Sequence, residues 1–469
     1  MYGGTDYWLT RYVFQRALAV IFLIAFFCAF QQFRPLLGEH GLLPAPDFIR
    51  ATPVRAAPSL FYFAPKDTAF EAAALLGMAL SCLILSGFPM RVSSGLGALV
   101  WASIWVLYLS FVNVGQIFYA FGWESILLEA GFFAMFLGSD KIAPPALSLL
   151  LLRWLEFRVI FGAGLIKLRG DPCWRDFSCL KYHYETQPMP NPLSWYFHWA
   201  PQWTQQAGVA FNHFAELIVP FAYFLPQPWA SMAGVVTILF QATIMASGNL
   251  SWLNLLTIVL ALPMIALPSS GAKNLAAPWM IHRVALAGAA VIVALLSVKP
   301  VRNMISPNQA MNASFNPLHL AGTYGAFGSI TRSRYEVIVE GTDDSVVTPS
   351  TVWREYEFEG KPGAVWRMPP PVAPYHLRLD WLMWFAAMGD WHDQPWFLPF
   401  VEKLLRNDPD TLALLRASPF QQHPPRFIRA SLYRYDFTTP DVHRQTDDWW
   451  HRQRMGVWFP PTSLRTLGK

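Results

Sequence analysis

Nine stretches of this chain are long and apolar enough to be read as membrane helices, and that count constrains the fold more than any single motif. They lie near Tyr12 to Phe30, Phe70 to Phe88, Gly95 to Phe111, Phe118 to Leu137, Leu147 to Ile166, Val209 to Leu225, Ala230 to Ala246, Leu250 to Leu267 and Val284 to Val298. A helix needs about 20 apolar residues to cross a hydrocarbon layer about 30 Å thick, so the shorter windows also admit re-entrant segments. Only 14% of the 469 residues are charged, against roughly 25% in soluble domains. The first window follows Arg11 and Arg16 as a signal peptide would, but its apolar run is too long and no small-x-small site follows Phe30. It reads as a retained anchor.

Sidedness is less legible than number. Arg34, Arg50, Arg55 and Lys66 fall between the first two windows, and Lys167, Arg169, Arg175 and Lys181 follow the fifth. The bias of Lys and Arg toward cytoplasmic loops therefore does not decide the orientation. The net charge of +5 is spread among carboxylates, with no basic stripe of the kind that binds nucleic acid.

The most informative segment is Gly162 to Cys179, where an apolar helix runs into Lys167, a charged turn and two cysteines with five residues between them. Cys28 and Cys82 sit in apolar runs, where a thiol behaves as a small hydrophobe. Cys173 and Cys179 lie in a polar loop, at residues 167–207, and are placed to form a disulfide if that loop faces an oxidising compartment. Their spacing suits neither a Cys-x-x-Cys redox pair nor a zinc site. The segment continues as Tyr182-His-Tyr-Glu-Thr-Gln-Pro-Met-Pro-Asn-Pro192, which reads as an extended, proline-stiffened loop too poor in aliphatic residues to be core. Trp174, Arg175, Asp176, His183, Tyr184 and Glu185 are its candidate functional side chains.

Ionisable groups inside bilayer segments are costly and point to function by default. Glu124 and Glu129 lie in the fourth window, Arg153, Glu156 and Arg158 in the fifth, and Lys167 at its end. His213 and Glu216 share a helix face three residues apart, and Asn249, Ser251 and Asn254 join the seventh window to the eighth. Two accounts stay open: a common polar cavity, or structural ion pairs such as Arg153 with Glu156 or Glu156 with Arg158. A buried lysine is a usable general base when its charged form is disfavoured; alternatively Lys167 snorkels to the headgroups beside Arg169.

The chain changes character near Lys299, giving an expected helical membrane domain over 1–299 and an α+β domain over 300–469. Arg302 to Pro317 reads as a linker or ordered surface loop. Arg334 to Glu340 and Val352 to Phe358 alternate with period two around Gly341-Thr-Asp-Asp344, which predicts an antiparallel pair. Leu377 to Met388, Pro399 to Arg406 and Asp408 to Leu415 have helical spacing, and Arg429 to Phe437 returns to the sheet. Nine tryptophans, among them Trp366, Trp381, Trp384 and Trp450, suit either a core or a client-binding surface. No Gly-x-Ser-x-Gly, His-Glu-x-x-His, Walker or dinucleotide motif is present. His376 and Asp380 are four apart on a predicted helix but read as a solvated or docking pair, so no metal and no cofactor are expected.

Two long motifs carry a resemblance. Gly164-Leu-Ile-Lys-Leu-Arg-Gly-Asp-Pro-Cys-Trp-Arg-Asp176 with the Tyr182 to Leu193 run, and Pro374-Tyr-His-Leu-Arg-Leu-Asp-Trp-Leu-Met-Trp-Phe385, closely resemble the lipase maturation factor family, as do Trp8-Leu-Thr-Arg11 and Gly41-Leu-Leu-Pro44. The resemblance implies a multi-pass membrane protein needed for lipases or other exported proteins to fold and assemble, with its C-terminal domain extracytoplasmic or lumenal and the Cys173 loop on the oxidising side. It makes Tyr375, His376, Arg378, Asp380 and Trp381 an outer-domain motif. The compact length, and an end at Leu464 to Lys469 without an ER retrieval signal, fit a bacterial-type member; the expected location is the cytoplasmic membrane if the host is bacterial and the ER membrane if it is eukaryotic. The expected partners are exported client proteins, lipases among them, and membrane lipids, with no nucleic acid. A fainter likeness links Phe161 to Lys167 and Glu216 before Pro220 to the helical part of vitamin K-dependent carboxylase. It implies the alternative of a membrane-embedded enzyme, with Lys167 as base, Glu216, His213 or Asn249 as orienting partners, and a lipid-like quinol or exported peptide as substrate.

Overall fold

A central aromatic stack organises the N-terminal helices of the computed structural model, which describes residues 4–267 and 275–468. Helix α1 (Trp8–Leu37) places Phe22, Phe26 and Phe33 along its buried side. They meet Tyr108 and Phe111 of α3 (Ser94–Val114) edge-on, with ring centroids 5.0–6.2 Å apart, the geometry that ring quadrupoles favour. Helix α2 (Asp67–Leu85) closes on the same stack because Gly77 lies against the Phe26 ring; a Cβ there would fall 2.5 Å from it.

All nine apolar windows are helical, but among the described residues six helices are long and apolar enough to cross a membrane: α1, α2, α3, Gln202–Phe224, α7 (Trp229–Ser247) and Met280–Ile305. The other three differ for physical reasons. Helix α4 (Gly122–Ala134) has 13 residues, α5 (Ala146–Arg169) is long but carries buried charges, and α8 (Leu253–Ala261) ends in a short 3-10 turn at Met264. Six candidate spans are therefore found among the described residues where nine were expected. Helix α6 (Gln202–His213) continues into a π-helical turn, Phe214–Ile218, and a 3-10 turn, Val219–Phe224.

The intramembrane charges pair across helices rather than along one. Arg158 forms its ion pair with Glu129 of α4, which also accepts from Tyr324 Oη at 3.0 Å. Residues two apart on a helix do not face each other, so the expected Glu156–Arg158 pair is sterically excluded. Arg153 donates to the carbonyls of Pro263 and Tyr223 at 2.8 Å, and neither Glu156 oxygen has a hydrogen-bond partner among the described residues. Residues 302–305 complete the preceding helix, and the 306–333 stretch is an ordered loop that packs on α5: Gly162 lies against the Tyr324 carbonyl and Asp171 N–H donates to that of Gly328 at 2.8 Å.

The C-terminal domain is built on an antiparallel sheet in the order β2-β1-β5-β6. Strand β1 (Arg334–Thr342) pairs along its length with β5 (Phe427–Phe437), and β2 (Arg354–Glu355) adds only two residue pairs. The expected hairpin is thus a minor edge. A separate ribbon joins β3 (Glu357–Phe358) to β4 (Leu415–Ala417). The predicted third helix is consequently shorter, Pro409–Leu412, with Asp408 Oδ1 accepting from Thr411 N–H at 2.9 Å. Helices α9 (Arg378–Ala386) and α10 (Phe397–Leu405) form as their spacing predicts. Strand β6 (Trp450–Thr462) was not visible as a strand in the sequence. Its charges and Pro460-Pro461 are features that edge strands tolerate. Trp381, Trp396 and Trp450 are buried, and Trp366 alone of the domain's tryptophans is well exposed. Most of the aromatic density is core.

Candidate functional site

Lys167 sits in the last turn of α5 and does not snorkel. Its side chain is buried, and Nζ donates to Glu216 Oε1 at 2.6 Å and Asn212 Oδ1 at 2.7 Å, 5.0 Å from the Trp174 ring. Asn212 Nδ2 in turn donates to Glu216 Oε2 at 3.1 Å. The π turn shifts the register of α6 at this point, a device common at functional sites, and brings Glu216 against Gly164, where a Cβ would lie 2.8 Å from that of Glu216. Of the expected partners, Glu216 is present. His213 is turned away, donating from Nε2 to the Trp174 carbonyl at 2.8 Å. Asn249 lies elsewhere, at the end of α7, and Asn212 takes the place expected for it.

Beyond Lys167 the chain makes a stapled turn. Asp171 accepts from Cys173 N–H at 3.0 Å and pairs with Arg332 at 2.7 Å, a hydrogen bond that holds its carboxyl down at about 2. Cys173 and Cys179 form a disulfide and both are buried. Trp174 is buried, its Nε1 donating to the Phe327 carbonyl, whereas Arg175 and Asp176 are exposed. The stapled turn thus divides into a buried and a solvent-facing half.

The Tyr182 to Pro192 stretch departs most from expectation. It is not an extended exposed loop: Leu180–Thr186 is helical, and His183 through Asn191 are buried between the membrane helices and the C-terminal domain. A buried backbone must find hydrogen-bond partners, and here one side chain supplies several. Arg334 of β1 donates to the carbonyls of Glu185, Gln187 and Pro188, at 3.0 Å and 2.9 Å for the first and last, while Glu336 neutralises it and forms an ion pair with Lys361 at 2.9 Å. Asn249 adds a second clasp: it donates to the carbonyls of Pro190 and Pro370 and accepts from Val372 and Ala373 N–H. Glu185 accepts from Phe437 N–H at 2.7 Å.

The outer-domain motif forms a third clasp and is not one cluster. Arg378 forms an ion pair with Glu124 of α4 at 2.8 Å, donates from Nη1 to the Phe118 carbonyl at 2.6 Å and stacks 3.5 Å from the Tyr119 ring centroid, and its backbone N–H donates to Gln32 of α1 at 3.0 Å. His376 lies 3.7 Å from Glu124 among the edges of Phe121, Trp123 and Trp252. Asp380 points the other way, accepting from Gly360 and Lys361 N–H, so the His376–Asp380 pairing is not made. Trp381 packs on Trp123, and Tyr375 on Phe27.

The helical bundle and the C-terminal sheet domain that these clasps join each match a known family domain. Residues 9–268, more than half of the chain, match the lipase maturation factor transmembrane domain, and residues 320–460 match the lipase maturation factor C-terminal domain. The chain belongs to the lipase maturation factor family. It is 40% identical to lipase maturation factor 1 of Bos taurus over 99% of this chain and 91% of that protein. Against lipase maturation factor 1 of Homo sapiens it is 41% identical over 100% and 90% of the two chains, and against lipase maturation factor 2 of Xenopus laevis 29% over 97% and 82%. No solved structure matches it. The family therefore identifies this chain as a multi-pass membrane maturation factor.

The buried histidines and Glu185 give this maturation factor a pH dependence of defined sign. Burial pushes His183 down to about 3, helped by the Lys167 charge, and His198 down to about 4. Each is neutral when folded and gains a proton near 6.5 when unfolded, so stability is complete above that pH and falls as pH drops toward 4. Burial pushes Glu185 up to about 7 from 4.5, which acts oppositely: its cost grows as pH rises through that interval. Thermal unfolding should show a lower midpoint at pH 5 than at pH 7. Glu185→Gln should stabilise by up to about 3 kcal/mol at pH 8 and by less than about 1 kcal/mol at pH 5.

Proposed function

We propose that this factor promotes the folding or assembly of exported lipases, with its outer domain and the Cys173 loop on the non-cytoplasmic side of the membrane. The compartment would be the periplasmic face of a bacterial inner membrane or the ER lumen. The sidedness is supported by the Cys173–Cys179 disulfide, which persists in oxidising compartments, and the lipase client by the names of the relatives. One observation carries the reading: three clasps, through Arg334, Asn249 and Arg378, hold the outer domain rigidly on the bundle, and a groove of about 590 Å³ opens at their seam. Thr186 and Arg332 line it beside Trp384, Tyr335 and Met388, the last two more than a third exposed. An open groove with aromatic and methionine walls suits an unfolded or partly folded client segment, since methionine adapts to varied surfaces.

The test is rescue of exported lipase activity in cells lacking the gene. Wild type should restore it, and Tyr335→Ala/Met388→Ala should fail at unchanged membrane abundance. Full rescue by the double variant would remove the groove from the reading. The alternative, chemistry at Lys167, rests on the Lys167–Glu216–Asn212 cluster at the π turn and is separated from a structural pair by the variants discussed below.

A further inference from the structure

At the end of the bundle opposite the C-terminal domain, Arg11 and Arg16 interact electrostatically with the Asp140 carboxylate, and Arg91 and Lys141 lie beside them. Arg11 and Arg16 lie on the first turns of α1, Arg91 on the turn between α2 and α3, and Asp140 and Lys141 on the loop after α4. The loop is tied to α1 by Trp8 Nε1, which donates to the Asp140 carbonyl at 2.9 Å, and by Arg11 Nη1, which donates to that of Ile142 at 2.8 Å. Arg16 and Arg91 converge on one point: a Cβ on Gly87 would lie 2.3 Å from Arg16 Nη2 and 3.7 Å from Arg91 Nε. Lys141 Nζ closes the rim by donating to the Val92 carbonyl at 3.2 Å.

Two further observations point to a ligand. The Arg11 side chain is fully buried, yet its Nε and Nη2 have no hydrogen-bond partner among the described residues; neither has Arg16 Nη2 nor, on the acceptor side, Asp140 Oδ1. Buried guanidinium donors left without acceptors are expensive, and like charges held together add to that cost. The depth is set by aromatics. Trp8 and Tyr12 stack with ring centroids 5.5 Å apart and the Arg16 guanidinium lies 3.3 Å over the Tyr12 ring, the pairing of tryptophan, tyrosine and arginine that settles at headgroup level.

We propose that Arg11, Arg16 and Arg91 form a binding site for a phosphate group, supplied by the headgroup of an anionic phospholipid. Arginine forks match phosphate oxygens in a bidentate manner, and one phosphate would satisfy the orphaned donors of Arg11 and Arg16 while separating Arg16 from Arg91. The site pins the first helix to the loop after α4 on the side away from the client groove.

Thermal unfolding of the full-length protein in neutral detergent, titrated with phosphatidylglycerol, phosphatidylcholine or inorganic phosphate, tests this. Phosphatidylglycerol should raise the midpoint saturably, and phosphatidylcholine should not. Arg91→Gln, at an exposed position, and Arg16→Gln/Arg91→Gln should bind about tenfold or more weakly, about 1.4 kcal/mol. An equal effect of inorganic phosphate at matched concentration, lost in the same variants, would keep the site and reassign its source to free phosphate. Equal stabilisation by phosphatidylcholine, or undiminished binding by Arg91→Gln, would overturn the proposal. Arg91→Gln keeps the test open should the double variant fail to fold.

Discussion

Replacing Lys167 with alanine is expected to cost about 3–5 kcal/mol of stability, because it leaves Glu216 buried without its counter-ion. Glu216→Ala should cost as much for the converse reason. These single variants will lose exported lipase activity whichever role Lys167 plays, so they do not separate structure from chemistry. Lys167→Met with Glu216→Gln does. The double variant removes both charges, and the new amide oxygen can accept the Asn212 Nδ2 hydrogen bond that Glu216 accepts now. It should recover most of the lost stability. Activity recovered with it would make the pair a structural clamp between α5 and the π turn of α6. A stable, inserted and inactive double variant would point to chemistry at Lys167, in line with the membrane-embedded alternative. Melting temperature and lipase activity, read on the same membranes, decide between them.

How much of this was legible in the sequence depends on how local each signal is. Apolar windows are local, and all nine became helices; whether each spans depends on length and on charges whose partners lie elsewhere. Glu129 and Arg158 are 29 residues apart, and nothing near either one names the other. Lys167 and Glu216 were legible as costly intramembrane charges, but Asn212 was not, because an asparagine on an apolar helix is unremarkable until a π turn directs it at a lysine. The Tyr182 to Pro192 stretch misled for the same reason. Its polar composition suggests exposure, and it is buried only because Arg334, roughly 150 residues on, supplies the donors its carbonyls need. Strand β6 was missed because an edge strand can be charged and proline-containing and so lacks alternation. The Cys173–Cys179 pairing and the family motifs were legible because each is contiguous.

Arg334 is where the largest coupled effect should appear. Its guanidinium is fully buried and bonds three carbonyls of the 185–188 stretch, and its charge is balanced by Glu336, which also holds Lys361. Removing it orphans those carbonyls and leaves Glu336 with one cation. Breaking a buried pair costs about 3–5 kcal/mol, and each unsatisfied carbonyl adds about 1–3 kcal/mol. That sum exceeds what a domain interface usually holds in reserve, so Arg334→Met should undock the outer domain while the helices stay inserted. Limited proteolysis reads this directly: cleavage within 185–192 should become rapid, because that stretch is buried and held by Arg334 of the docked domain. Arg334→Lys should rescue little, since an ammonium cannot present the planar fork that reaches Glu185, Gln187 and Pro188 at once. Exported lipase activity should fall in step with proteolysis if docking shapes the groove at Trp384 and Tyr335. Undocking with activity retained would separate client handling from the seam and move it to the bundle.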